Sequence, residues 1–324
     1  MYLGIEIGGT KLQVGVGAGD GVLAGLWRER VDVAAGPEGI RRQIVRSVPE
    51  LLGKSNLDRA QLRGVGIGFG GPVDDHTHTI IKSHQIEGWN NFPLEKWLSE
   101  LLGLPAVLGN DADVAGLAEA LFGAGKGFSP VFYITIGSGI GGGLIINGEI
   151  YRGIGRGAAE IGHLNVKWFA PPQGITYCPL EDYASGWAIS RKAKEALSRG
   201  VKSSLQPSGT DSDLSPSAEE VARAAAKGDA VGLVVLGHAQ SHLADAISHV
   251  IGLLCPRRIV IGGGVSLMGE KLLFQPLREM VAERVFKPFA DCYEIVPAAL
   301  GEEVVVHGAL ALARKRIDYK NQSQ

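Results

Sequence analysis

Apolar and polar positions alternate in short blocks from the start of the chain. Residues 2–7 and 12–16 are apolar runs separated by Gly8-Gly9-Thr10-Lys11, which predicts a β-hairpin. The turn Ala18-Gly19-Asp20-Gly21 leads into a third strand near 22–31. The plan returns at 131–136 and 143–147, around Gly137-Ser138-Gly139-Ile140-Gly141-Gly142, and Asn147-Gly148 feeds a strand near 149–152. One unit thus occurs twice, about 130 residues apart.

Helical periodicity follows each hairpin unit. Ile40, Ile44, Val48 and Leu51 share one face of a helix over 37–53 that is expected to kink or end near Pro49. Short helices are predicted at 94–102 and 111–122, with a strand between Pro105 and Gly109. A long helix covers 229–254, and Arg258-Ile259-Val260-Ile261 is a strand ending in Gly262-Gly263-Gly264. Strands joined by helices, in duplicate, predict an α/β fold of two lobes with a cleft between them. Residues 203–217, rich in Ser, Pro and Asp, read as a loop, and the tail Asn321–Gln324 as a frayed end.

Composition narrows the function. The chain has 324 residues, enough for about two domains. With 32 Lys+Arg against 34 Asp+Glu it lacks the basic footprint that nucleic acid requires. Cys178, Cys255 and Cys292 are too scattered for a disulfide framework, which points to a reducing cytoplasm. Neither a signal peptide nor a membrane span is expected, since the apolar stretch 131–146 is short and glycine-rich. Glycine stands out at 47 residues, clustered at 64–71, 137–143, 153–157 and 262–264. Side-chain-free turns let several N–H groups meet one anion, so the paired turns at Gly8-Gly9-Thr10 and Ser138–Gly143 suit phosphates. Neither is a Walker A loop, and no strand–GxGxxG–helix unit is present.

The order of short motifs resembles the ROK family (repressors, open reading frames, kinases) of the actin-like, hexokinase-like ATPases. The pieces are E-I-G-G-T-K at 6–11, G-F-G-G-P-V-D at 68–74, G-W-N at 88–90, G-N-D-A at 109–112 and I-G-S-G-I-G-G-G at 136–143. They continue with A-E-I-G-H at 159–163, E-D-Y-A-S-G at 181–186 and V-I-G-G-G-V at 260–265. The resemblance implies a duplicated ribonuclease H-like fold, with a smaller lobe over 1–122, a larger one over 123–300, and a C-terminal helix near 301–317 packing back on the first. It implies phosphoryl transfer from ATP, with magnesium, to a hexose hydroxyl. Gly8, Gly9, Thr10, Lys11, Ser138, Gly139 and Gly141 would hold phosphates, and Gly263 and Gly264 would lie under the adenosine. Gly71, Asn110, Asp111, Glu160, His163 and Glu181 would hold the sugar, with Asp111 as general base. Read without the resemblance, Asn110 or Asp111 is equally a helix N-cap, and Glu160 with His163 a surface pair at i,i+3 spacing.

Two departures from the family pattern stand out. The zinc knuckle common after the G-H is reduced to one cysteine, Cys178, within Pro171–Glu181, so no zinc is expected. Glu6 replaces the usual Asp that orients magnesium or its waters, one methylene longer, so a water-mediated role is expected. Glucose is the expected sugar; fructose and N-acetylmannosamine are the alternatives, as is a non-catalytic sugar or nucleotide sensor. A sugar-responsive repressor would need a helix-turn-helix ahead of residue 2, for which no room is seen. A homodimer or higher homo-oligomer is a family expectation.

Other features are weighed on their residues. His238, His242, Asp245 and His249 form a stripe expected to be solvated or to meet a subunit. Arg41, Arg42 and Arg46 are expected in solvent. Trp89 fits either core or sugar cleft, and His84 is a weak sugar-side candidate.

Overall fold

The structure is a computed structural model that describes residues 1–83, 86–170, 174–206 and 215–322. His84, Pro171 and Pro172 therefore lie outside the described residues, as does the central part of the 203–217 loop.

The first hairpin forms as its pattern predicts. β1 (Tyr2–Ile7) pairs antiparallel with β2 (Lys11–Gly17), which pairs with β3 (Leu23–Arg30). Helix α1 (Gly36–Lys54) follows and contains Pro49 without ending there. Leu51 and Leu52 beyond the proline are buried, and their burial on the sheet outweighs one missing N–H. Then come β4 (Val65–Phe69), the short pair β5 (Val73–Asp74) and β6 (Thr79–Ile80), α2 (Leu94–Leu102), β7 (Ala106–Asn110) and α3 (Asp111–Phe122). The first sheet has the order β3-β2-β1-β4-β7, with β1, β4 and β7 parallel.

The second half repeats that order. β8 (Val131–Ile136), β9 (Ile140–Ile146) and β10 (Glu149–Ile150) replay the first three strands. A hairpin of β11 (Asn165–Ala170) and β12 (Gly174–Pro179) leads to α4 (Glu181–Ala184), α5 (Gly186–Ser198), α6 (Ala218–Ala226) and α7 (Ala230–Leu254). β13 (Arg258–Gly262), α8 (Gln275–Arg284), β14 (Glu294–Pro297) and α9 (Val304–Gln322) complete the chain. The second sheet runs β10-β9-β8-β13-β14, matching the first strand for strand. This is the duplicated ribonuclease H-like fold of the actin-like ATPases.

The chain divides into two compact units. One comprises Met1–Tyr133, Gly143–Ala159 and Ala299–Gln324; the other comprises Ile134–Gly142 and Glu160–Ala298. The first thus takes in more than the 1–122 stretch, because Gly116 packs on Tyr133 and Ile145, and Gly143 on Ala112. In this unit the sheet is buried on both faces. Leu3, Ile5 and Ile7 of β1 join Ile40, Ile44 and Leu51 of α1 in one core, with Leu94 and Leu98 of α2. On the opposite face Tyr2 meets Val306, Leu310, Ala313 and Ile317 of α9.

That second face explains many of the glycines. Gly4, Gly66 and Gly68 point at α9, and a Cβ on Gly66 would lie 1.8 Å from the carbonyl oxygen of Ala309. The cluster at 64–68 therefore serves a helix laid directly on strand backbone and not an anion. The buried carboxylate of Glu119 fixes the entry to α9. It accepts from the N–H groups of Ala299 and Leu300, both at 2.9 Å, and of Ala124 at 2.7 Å. Among the described residues, no helix is long and apolar enough to cross a membrane.

Candidate active site

In the first unit, the predicted residues gather at the C-terminal ends of β1, β4 and β7. Gly8 N–H donates to Lys11 O at 3.1 Å, closing the first turn, and Thr10 is exposed on it. Lys11 turns back into its own unit, 3.3 Å from Glu6 Oε1 and 3.0 Å from the carbonyl of Glu302. Glu6 is buried, and Gln13 Nε2 donates to its other oxygen at 2.6 Å. Burial pushes the Glu6 carboxyl up, against the opposing pull of Lys11 and Gln13.

Asn110 and Asp111 divide the two roles that the sequence left open between them. Asn110 is the N-cap: its Oδ1 accepts from Ala112 N at 2.9 Å and Asp113 N at 3.2 Å. Its Nδ2 donates to Gly71 O at 3.0 Å, tying the end of β7 to the loop after β4. Gly71 must be glycine there, since a Cβ would lie 2.5 Å from Lys82 O. Asp111 begins the helix, and its Oδ1 accepts from Ala112 N at 2.8 Å. Asn110 is thus the N-cap, and Asp111 shares Ala112 N from the first helical position, at a strand-to-helix junction.

In the second unit the sugar-side candidates come together through a hairpin. β11 and β12 pair in register from Ala170 with Gly174 to Asn165 with Pro179, and Leu180 N–H extends the ladder to Leu164 O at 2.9 Å. That register puts residues 163 and 181 side by side. His163 Nδ1 lies 4.0 Å from Glu181 Oε1, and Glu181 Oε2 accepts from Ile140 N at 3.4 Å. Glu160 leads into the 3-10 turn Ile161–His163, where i,i+3 side chains stack on one side. Gly162 lets this turn lie on β9, because a Cβ would meet Ile140 O at 2.0 Å. Cys178 sits on β12 beside Tyr183.

The glycine turn after β8 borders a cavity of about 920 Å³. Gly137, Ser138, Gly264, Val265, Trp187 and Arg223 are among its walls. Gly186 N–H braces the turn through Gly137 O at 2.8 Å. Gly264 lines the cavity, whereas Gly263, at φ 83°, packs with its would-be Cβ 2.6 Å from Ile136 O. Gly139 sits nearer Glu181, at 2.9 Å from Oε2 by the same measure. Trp187 and Arg223 escaped the sequence analysis; the signal for Trp187 was its place directly after E-D-Y-A-S-G, and Arg223 had none.

Several other expectations are corrected. Trp89 is core, 1% exposed and edge-on to Phe69 at 5.5 Å and Phe92 at 5.2 Å. His242 is buried against Tyr183, with ring centroids 4.8 Å apart, and burial lowers its pKa. It therefore leaves the solvated stripe, while Asp245 pairs with Arg284 at 2.9 Å. Arg41 lies over the Phe92 ring and pairs with Glu38, part-buried, whereas Arg42 and Arg46 are exposed as expected, Arg46 pairing with Glu29.

The ROK family model matches residues 2–316. The chain belongs to the ROK family. Among its ROK relatives is a glucokinase of Halalkalibacterium halodurans, 33% identical over 97% of this chain and 95% of that protein. Another is a glucokinase of Thermotoga maritima, also 33% identical, over 97% of this chain and 98% of that one. The fold matches a ROK family glucokinase of Streptomyces griseus crystallised with glucose and AMPPNP. Its TM-score is 0.78 at 30% identity, covering 97% of this chain and 99% of that one.

Within this ROK protein Glu181 is also held by Ile140 N, independently of His163. His163→Ala is expected to raise the KM for sugar about tenfold with the KM for nucleotide unchanged, as one lost hydrogen bond to a charged or polar partner predicts. Steady-state kinetics in both substrates check this, and an unchanged sugar KM removes His163 from the sugar site.

Proposed function

We propose that this chain phosphorylates a hexose hydroxyl at the expense of ATP, with glucose as the preferred sugar and Asp111 as general base. The observation that carries the base assignment is the division of labour at the start of α3. Asn110 caps the helix through Ala112 N and Asp113 N and holds Gly71, while Asp111, the first helical residue, shares Ala112 N and keeps its carboxylate at the C-terminal end of β7. In the step, the sugar oxygen forms a bond to the γ-phosphorus as the bond to the β,γ-bridging oxygen breaks. The hydroxyl proton passes to an Asp111 oxygen and ADP leaves.

The other assignments follow the geometry of each unit. The glycine turn at 137–139 and the cavity it borders, with Gly264 and Trp187, suit phosphates and a flat base. Gly8, Gly9 and Thr10 offer the matching turn in the first unit. Asn110 and Gly71 there, and Glu160, His163 and Glu181 in the second unit, are given to the sugar hydroxyls.

Magnesium would enter with the nucleotide. Among the described residues no group of three or more His, Cys, Asp or Glu side chains gathers around a possible metal position. Both Glu6 oxygens are engaged by Lys11 and Gln13, and Gln13 Oε1 beside them is buried without a hydrogen-bond partner. These residues fit a hydrated ion met through water and do not fit direct ligation. When bound, the ion neutralises charge on the phosphates; Glu6, Lys11 and Gln13 hold the floor of the first turn rigid.

ADP release measured across glucose, fructose, mannose and N-acetylmannosamine tests the proposal. Turnover that requires sugar and is highest with glucose is expected. Higher turnover with fructose or N-acetylmannosamine reassigns the sugar. ATP hydrolysis without sugar, or none with any sugar, overturns the kinase assignment.

A further inference from the structure

Arg152, just beyond β10, is used by none of the roles above, yet it joins the two pieces that carry them in the first unit. Its Nε and Nη2 donate to the two carboxylate oxygens of Asp75 at 3.0 and 3.1 Å, and Nη2 also donates to Val73 O at 3.0 Å. Nη1 donates to Asp113 Oδ2. The strip after it follows the same loop: Asp75 N–H donates to Gly155 O at 2.8 Å, and Arg156 lies 3.2 Å from Asp74. The Arg152 side chain is 11% exposed and that of Asp113 is 3%.

A guanidinium this deep is held by its two carboxylates. Burial pulls its pKa down, and Asp113 and Asp75 more than reverse that. The planar fork matters as much as the charge. Three nitrogens meet three groups on two segments at fixed angles, which a lysine ammonium at one point does not reproduce.

The two segments are the loop 70–75 and the first turn of α3. Asp113 stands two residues after Asp111, and Val73 and Asp75 stand two and four residues after Gly71. Asn110 already ties those segments through Gly71 O. Arg152 ties them again from the other side, so the start of α3 is fixed to the loop at two separate points.

We propose that Arg152 is a positioning residue that holds Asp111 in register with the Gly71 loop, and so sets kcat without touching the substrate. The proposal deepens the kinase assignment and rests on Asp111 as its base. A misplacement of the order of 1 Å is worth about a hundredfold in rate, so loss of one of two ties is expected to be large.

The test compares Arg152→Met, Arg152→Lys, Asp113→Asn and the double variant Arg152→Met/Asp113→Asn in the full chain. The readouts are kcat, both KM values, glucose binding by equilibrium dialysis, and thermal unfolding. In Arg152→Met, kcat should fall about 10- to 100-fold while the fraction of protein that binds glucose, and its affinity, stay near wild type. Arg152→Lys should recover only part of that loss. The double variant removes the carboxylate that Arg152→Met leaves buried, so its stability should return toward that of Asp113→Asn while kcat stays low. If kcat returns together with stability, or if Arg152→Met and Arg152→Lys turn over like wild type, the positioning role is wrong. Asp111→Asn run alongside separates the two ideas. An active Asp111→Asn removes the base and this proposal with it; an inactive one beside fully active Arg152 variants removes the positioning role alone.

Discussion

Asp111→Asn is expected to bind nucleotide and sugar and to turn over at least about a hundredfold more slowly, the usual scale for losing a general base being 10²–10⁴. The substitution is nearly isosteric, and the helix keeps its cap, because Asn110 accepts from both Ala112 N and Asp113 N. As an acid in the first turn Asp111 adds about 0.3–1 kcal/mol to α3, and its bond from Ala112 N is one that an asparagine oxygen can keep. Thermal unfolding should therefore move little while kcat collapses. Asn110→Ala should behave differently. It loses both the cap and the link to Gly71, costing about 1 kcal/mol for the cap alone. A turnover of Asp111→Asn within tenfold of wild type would end the base assignment.

Gly66→Ala is expected to damage the first unit severely. The added carbon would lie 1.8 Å from Ala309 O and 2.6 Å from Ala309 C. Both sides of that clash are backbone. β4 is held between β1 and β7 by parallel ladders, and α9 is held along the sheet by Val306, Leu310 and Ala313. No side chain can turn away, so α9 must lift from the sheet. Overpacking costs about 1–3 kcal/mol where side chains can adjust, and this site should sit at or beyond the top of that range. At roughly 2–4 °C per kcal/mol, the melting temperature should fall by about 6–12 °C or more. Gly53→Ala is the control: it lies in α1 with open space at its Cβ, and should be neutral or stabilising. A Gly66→Ala protein that melts with the wild type would mean that α9 does not lie on β4 as described.

Both variants bear on how far sequence pattern reaches. The motif G-N-D-A named Asn110 and Asp111 together, and pattern alone left the cap to either. The contacts to Ala112, Asp113 and Gly71 separate them. Gly66 and Gly263 stood in glycine clusters whose purpose clustering alone did not give. One faces Ala309 and the other faces Ile136, so both are there for close backbone packing. Trp89 fitted core and cleft equally until Phe69 and Phe92 enclosed it. Pro49 signalled a kink or an end, and the burial of Leu51 and Leu52 carried α1 past it.

The sequence by itself carried no signal that was read for α4, α5, α6 and α8; it determined the duplicated strand unit, helices α1, α2, α3 and α7, the paired glycine turns and, through its motifs, the family. Those features are written in local periodicity and in short motifs, where each residue's neighbours in the chain are also its neighbours in space. Only the tertiary structure decided which glycines admit a helix and which leave an anion room, that Asn110 is the N-cap and ties to Gly71, and that β11 pairs with β12 to set His163 beside Glu181. It also decided that Arg152 closes on Asp75 and Asp113, 77 and 39 residues away. Contacts at such separations follow from how the elements pack, and no periodicity or spacing along the chain encodes them.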